Sequence, residues 1–350
     1  MKTSFISNYS LSGTLRNAVA KARDSLADAT KESASGRYAD IGLTLGGSTG
    51  KTIGLRDQYN RLNGIVDTNA LVSSRLEITQ KALDGMRETA EKFLATLISV
   101  RDGDKGADVL KSEGKNNLQA MTASLNASAS GQFIFAGINT QQRPVADYFA
   151  TPTATNKAAV DAAFLGHFGF AQDAPAAATI TQANMTTFLQ TVLPTEFADP
   201  AWGANWSSAL DQNMTSRISL SEVVEVSTNA TTQATRDLAM AYTMAYDLGV
   251  ENLTTNAFRT IVDASIDSIN KAILGLTATQ AQLGAIEERV KVSSDRLTIQ
   301  RDIMVKQIQG FENVDPYEAN VRVTDLTTQL DTAYALTVRI QQLNILQYMR

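Results

Sequence analysis

Cysteine is absent from this 350-residue chain, and histidine occurs once, at His167. The first absence excludes disulfides, thiolate nucleophiles, Fe–S clusters and cysteine zinc sites. The second excludes any metal site built on a pair of histidines. An excess of positive charge is missing too: 31 Lys and Arg stand against 36 Asp and Glu, a formal −5, with a pI near 5.1. Nucleic-acid binding usually shows as a basic domain or stripe, so the balance argues against it. No run of about 18 apolar residues occurs, so no segment reads as inserted in a membrane. Residues 1–25 break into Ser, Asn, Gly and Arg before a secretory apolar core could form.

Proline is scarce and unevenly placed. The six lie at Pro144, Pro152, Pro175, Pro194, Pro200 and Pro316, so residues 1–143 and 201–315 contain none. Proline lacks an N–H and clashes with the preceding helical turn, so its absence leaves both flanks free to form long helices. The middle differs in other ways. Eight of the twelve Phe fall between Phe133 and Phe197, Trp202 and Trp206 follow, and charge thins to roughly half its density elsewhere. Those features predict a compact insert of short strands and turns, with a helix possible over 176–192.

What is present in the flanks is helical periodicity. Leu55, Tyr59, Leu62, Val66, Asn69, Val72, Leu76, Gln80, Leu83, Met86, Ala90, Phe93, Leu97 and Val100 are spaced by threes and fours, a coiled-coil period. A second stripe runs from Phe258 through Val262, Ile269, Leu276, Leu283, Val290 and Leu297 to Ile308 and Phe311. The two match in length and are expected to pack side by side, while Asp102-Gly103-Asp104 turns a third helix, about 105–129, back on the first.

Two terminal stripes stand apart. One comprises Leu11, Leu15, Ala18, Ala22 and Leu26 and ends at the helix stop Ser35-Gly36; the other comprises Leu326, Leu330, Ala333, Leu336, Ile340 and Leu343 after Asp315-Pro316. The last helix also carries Tyr334, Val338 and Ile345 off its stripe. A helix that is apolar on more than one side needs several partners, and copies of the same chain could supply them.

The expected architecture is therefore mainly α. It is a long antiparallel helical coiled-coil rod with paired N- and C-terminal helices, a β-hairpin and an inserted smaller domain, either α+β or β-rich. The expected divisions are 1–50 for the N-terminal helix and its connection, 51–130 for the first part of the rod and 131–149 for a strand or hairpin segment. An outer insert at 150–230, the second part of the rod at 231–315 and the C-terminal helix at 316–350 complete the chain.

Motifs suggestive of chemistry fail on inspection. Gly46-Gly47-Ser48-Thr49-Gly50-Lys51-Thr52 has the residues of a phosphate loop but not the spacing, since the position that needs the first Gly is Leu45. Asp102, Asp104 and Glu113 match three calcium-loop offsets, but Ala107 stands where the turn needs Gly. His167 lacks a second ligand and reads as a half-buried strand or turn residue. Glu287 and Glu288 read as a solvated helix face, and Met240, Tyr242, Met244 and Tyr246 as core packing. No catalytic residue, cofactor site or metal site is assigned.

Four segments resemble those of the flagellin-like axial proteins of the bacterial flagellum, and within that family the branch that joins hook to filament. They are Ser33-Ala34-Ser35-Gly36-Arg37 and Gly131-Gln132-Phe133-Ile134-Phe135-Ala136-Gly137-Ile138-Asn139-Thr140, then Gln282-Leu283-Gly284-Ala285-Ile286-Glu287-Glu288-Arg289-Val290 and Val314-Asp315-Pro316-Tyr317-Glu318-Ala319 with the closing helix. The second is the most discriminating. Residues 39–50 depart from the family's acidic run.

The resemblance implies a structural subunit without catalysis, exported unfolded through the flagellum's own type III channel and forming a tubular layer through its terminal stripes. Implied partners are copies of itself, the first hook-associated protein, flagellin and a cytoplasmic flagellar export chaperone. A filament subunit is the near alternative. From other classes, a secreted coiled-coil adhesin with the insert as its tip, or an enzyme housed in 145–230, remain to be weighed.

Overall fold

The computed structural model describes residues 8–101 and 106–348, and within these the side chains from 13 to 339. Among the described residues the elements are α1 (Asn8–Ser35), α2 (Ile41–Leu45), α3 (Thr49–Val100), α4 (Ala107–Leu125), β1 (Ser128–Ala129), β2 (Gln132–Phe133) and α5 (Thr155–Phe168). There follow α6 (Gln182–Thr187), α7 (Leu193–Glu196), β3 (Thr215–Arg217), β4 (Val223–Glu225), α8 (Gln233–Asp247), α9 (Thr255–Glu312) and α10 (Pro316–Tyr348). The fold is mainly α, as the periodicity predicts. It divides into two compact units, one of residues 1–64 with 298–350 and one of 65–297.

In the first unit α3 and α9 run antiparallel, because Arg56 bonds Glu312 and Arg301 bonds Asn63. Leu62 and Ile308 bury their side chains there, while Leu55, Tyr59 and Phe311 are half-buried. Helix α1 packs along α10. The segment that departs from the family pattern is a helical joint: Asp40 caps α2 by accepting from the Leu43 amide at 2.8 Å, and a 3₁₀ turn over Gly46–Ser48 leads into α3. Among the described residues no strand precedes Lys51, which is exposed, so the phosphate-loop reading has no structural support there.

In the second unit the same antiparallel relation recurs, with bonds from Asn69 to Ser294, Gln80 to Gln280 and Arg101 to Asp263. The expected stripes are what is buried. Val72, Leu76, Leu83, Met86, Ala90, Phe93 and Leu97 meet a core that includes Ile269, Leu276, Leu283 and Val290. The polar members of the first stripe fix register: the buried Asn69 amide donates to both the Ile218 carbonyl and the Ser294 hydroxyl.

Helix α4 packs on α8 so closely that a Cβ at Gly114 would lie 2.9 Å from the Ala245 Cβ and 3.0 Å from the Tyr246 amide nitrogen. The expected core role of the α8 residues holds, with Tyr242 edge-to-face on Phe93 at 5.1 Å.

The most discriminating sequence segment is a tight hairpin and a buried plug. β1 and β2 pair antiparallel with Ser128 opposite Phe133, and Ser130 and Gly131 between them both have positive φ, as a two-residue hairpin turn of the I′ type requires. Ile134, Phe135 and Ala136 are then fully buried. Gly137 turns at φ +65°, where an added Cβ would stand 2.2 Å from the Leu210 carbonyl oxygen.

The middle of the chain differs from its expectation. Short helices α5, α6 and α7 dominate, with 3₁₀ and π turns between them and one hairpin, β3–β4, so the mixed α+β alternative describes it better than the β-rich one. Alanine-rich runs explain the shift, and Pro175 and Pro194 sit in first turns, where proline starts a helix rather than breaking it. His167 is accordingly in the last turn of α5 and exposed, not in a half-buried strand; its ring lies against Phe168 and Phe188. The aromatics form a core in which Trp202 stacks on Trp206 at 5.4 Å and Tyr148 stacks on Trp206 at 5.3 Å.

Candidate assembly surface

Helix α1 stops where the sequence places its stop. Gly36 takes φ +69° and its amide closes on the Glu32 carbonyl at 2.8 Å, after which the chain reverses beside the start of α10. Arg37 forms a β-bridge with Asn313, the Tyr38 amide donates to the Glu312 carbonyl, and the Val314 amide donates to the Gly36 carbonyl.

Two buried carboxylates hold this corner. Glu32 accepts from the Ala39 amide and from the Arg322 guanidinium, both at 3.1 Å. Glu312, only 1% exposed, accepts a two-pronged bond from Arg56, which raises the Arg56 pKa through that hydrogen bond. A carboxylate this deep requires such partners, because unpaired burial of charge costs several kcal/mol. With Ser33 bonded to Asn320 at 2.6 Å, the corner sets α1 antiparallel to α10.

The stripe residues divide by how far this pairing buries them. Leu330 is buried; Leu15, Ala22, Leu26, Leu326 and Ala333 are half-buried; Ala18 and Leu336 are exposed. Leu11, Ile340 and Leu343 lie outside the described side chains.

The two helices are not equivalent. Among the described residues α1 exposes no large apolar side chain, whereas α10 exposes Tyr317, Val321, Tyr334, Leu336 and Val338. At about 100° per residue, Tyr317 and Val321 fall on the side away from Ala319 and Leu330, which face the pair, while Tyr334 and Val338 are exposed along its flank. Between Tyr317 and Val338 Thr is the commonest residue, and the acids are Glu318, Asp325 and Asp331. Apolar area without a partner on one chain is the usual mark of an interaction surface.

A cavity of about 670 Å³ in the second unit is lined by Lys111, Lys157, Asp161, Tyr246, Asp247 and Glu251 among others. Several of its charges are spent on one another: Asp247 accepts from the Tyr148 hydroxyl at 2.6 Å and from Lys157 at 2.8 Å, and Lys157 also bonds Asp161. Burial pushes the Asp247 carboxyl up against the opposing pull of Lys157 and Tyr148, and burial together with Asp247 pushes the Tyr148 phenol well up. These ties fasten α5 to α8.

Asp102 and Asp104 lie outside the described residues, and no group of three possible metal ligands occurs among the described ones. Glu287 is half-buried and Glu288 exposed on α9, with Arg289 paired to Glu222 from the β3–β4 hairpin. No described helix is long and apolar enough to cross a membrane.

Sequence reading missed Glu32, Glu312, Arg56 and Arg322. Their partners are hundreds of residues away, so no local spacing marks them; a glutamate next to a helix stop is the only hint.

The ends of the chain are similar to known proteins. Residues 6–140 match the bacterial flagellin N-terminal helical region, and residues 266–349 match the bacterial flagellin C-terminal helical region. No curated protein matches the sequence. A solved structure from Vibrio parahaemolyticus, described provisionally as a flagellar hook-associated protein, is similar in fold: TM-score 0.52 at 10% identity, over 76% of this chain and 97% of that one.

Proposed function

We infer, for a flagellin-like chain that is a structural and non-enzymatic subunit of the bacterial flagellum, a place at the junction between hook and filament. The observation that carries this reading is the segment 131–140. Its tight hairpin, buried plug and Gly137 turn are built from the residues that resemble the junction branch of the family. The provisional description of the Vibrio parahaemolyticus protein as hook-associated adds support.

In this reading the terminal helices form the tubular layer. Of the assembly interface, Leu11, Leu15, Ala18, Ala22 and Leu26 on α1 with Leu326, Leu330, Ala333, Leu336, Ile340 and Leu343 on α10, the buried and half-buried Leu15, Ala22, Leu26, Leu326, Leu330 and Ala333 hold the pair together. The exposed Tyr317, Val321, Tyr334 and Val338 meet neighbouring subunits. Neighbours are copies of the chain, the first hook-associated protein below and flagellin above. An export chaperone holds the C-terminal region in the cytoplasm before passage through the flagellar type III channel.

A filament subunit is the second reading, favoured by the flagellin matches at both ends. Immunogold labelling of isolated flagella separates the two. Label confined to the hook end is expected; label along the whole filament would overturn the junction assignment.

A further inference from the structure

The corner that fastens α1 to α10 leaves one cation without a hydrogen-bonding partner. Beside it, in the same unit, lies a cavity of about 320 Å³ lined by Arg37, Arg56, Tyr59, Asn60, Ile308 and Gln309 among others. Two guanidinium groups share one buried carboxylate there. Arg56 takes Glu312 with two hydrogen bonds, whereas the nearest Arg37 nitrogen stays 3.9 Å away, beyond hydrogen-bond reach.

The lining thus holds one positive charge in excess. Among the described residues the Arg37 guanidinium makes no hydrogen bond, and neither do the Tyr59 hydroxyl, the Asn60 amide or the Gln309 amide. Uncommitted donors around a net positive charge match a carboxylate, which accepts only and fits the planar guanidinium fork. A cation would be repelled, and a neutral group would leave the charge uncompensated.

We propose that this cavity receives the side-chain carboxylate of an aspartate or glutamate from a second copy of the chain. Flagellin-like chains self-assemble, and this one has more acids than bases to offer. The cavity also belongs to the unit that carries the unpartnered sides of α10, so a copy docked on Tyr317 and Val321 meets the same unit. The proposal rests on self-assembly, not on the junction assignment; whole-filament labelling would remove the latter and leave the former.

The test uses the full-length chain. Arg37→Gln removes the free cation, and Gln309→Glu places a carboxylate in the cavity from within the same chain. Both residues are exposed, so each purified variant is expected to keep the parental thermal midpoint to within about 2 °C. In cells the ratio of assembled to secreted chain, read by immunoblot of sheared flagella and of medium, is expected to fall about tenfold or more in both.

Arg37→Lys, which keeps charge but loses the fork, is expected to fall between. Suppressors of Arg37→Glu that turn an exposed acid into Lys would identify the incoming side chain. Normal assembly of Arg37→Gln and Gln309→Glu overturns the proposal. It is equally overturned if those variants assemble normally while inorganic phosphate at millimolar concentration raises the parental midpoint and not that of Arg37→Gln. The cavity would then be a site for free anions.

Discussion

Three glycine-to-alanine changes separate the costs of backbone conformation and of space in the second unit. Gly131 has φ +78° with nothing within 4 Å of an added Cβ, so Gly131→Ala incurs the left-handed conformation alone. That is about 1–2 kcal/mol, reduced by the lower entropy of the unfolded alanine chain. Gly114 is an ordinary helical residue, and Gly114→Ala has the opposite problem. Its Cβ would press on Ala245 at 2.9 Å and on the α8 backbone, an overpacking cost of about 1–3 kcal/mol, offset by about 1 kcal/mol of helix propensity.

Gly137→Ala combines both. It places a Cβ at φ +65° and 2.2 Å from the Leu210 carbonyl oxygen, with the Gln212 carbonyl at 2.7 Å. Neither is a flexible side-chain end, so the backbone must move, and about 3–5 kcal/mol is expected. Trp202 and Trp206 are both buried in this unit and are the only two tryptophans, so urea unfolding followed by their fluorescence reads the right transition. The thermal midpoint of Gly137→Ala should fall by about 10 °C. If Gly137→Ala lies within about 1 kcal/mol of Gly131→Ala, close approach to Leu210 is not what holds the segment 131–140, and the reasoning fails.

Other expectations concern both units. Arg56→Ala leaves the buried Glu312 carboxylate without its hydrogen-bonded guanidinium and with only Arg37 at 3.9 Å; because Arg56 is half in water the loss should be about 2–3 kcal/mol, seen as faster hydrogen exchange at the Tyr38 amide with the tryptophan transition unchanged. Leu330→Asp puts a carboxylate at a buried position of the α1–α10 pair and should permit export yet prevent incorporation, read as secreted chain without filaments. Asp237→Asn tests a pH effect: burial raises the Asp237 carboxyl, so its contribution to stability is full at acid pH below the ordinary aspartate range and is lost as pH rises through the raised value. The variant should therefore gain midpoint relative to the parent at pH 7 and not at pH 3; an equal difference at both would show that its ionisation does not matter.

What is legible in the sequence is what repeats. A helix that buries one side against a neighbour must place an apolar residue there every three or four positions, so spacing alone picks out the stripe from Leu62 to Val100, most of which is buried. Asn69 and Gln80 are visible as polar members of it, but their partners are not, since Ile218, Ser294 and Gln280 are set by register. In the middle of the chain, proline and low charge argue for strands, while alanine content and first-turn prolines decide for short helices. The stacking of Trp202 on Trp206 inside a π turn depends on tertiary packing alone.

The terminal helices show where sequence periodicity stops informing. Both carry apolar stripes of the same spacing, and by pattern alone either could be the one that seeks outside partners. The structure breaks the tie through the corner. Once Glu32 is fixed by Arg322 and Ala39, and Ser33 by Asn320, the rotation of α10 against α1 follows. Ala319 and Leu330 then turn inward, and Tyr317 and Val321, which belong to the same amphipathic helix, must turn away. The charged contacts contribute little area; what they decide is which side chains of α10 are left for another subunit. On this argument Arg322→Gln would alter the assembly surface without touching it, by loosening the rotation that presents Tyr317 and Val321. The expected result is fewer filaments at near-parental stability of the tryptophan-reported unit. Tyr317→Ala combined with Arg322→Gln should be no worse than the more severe single change; full additivity of the two would mean that the corner does not orient the helix.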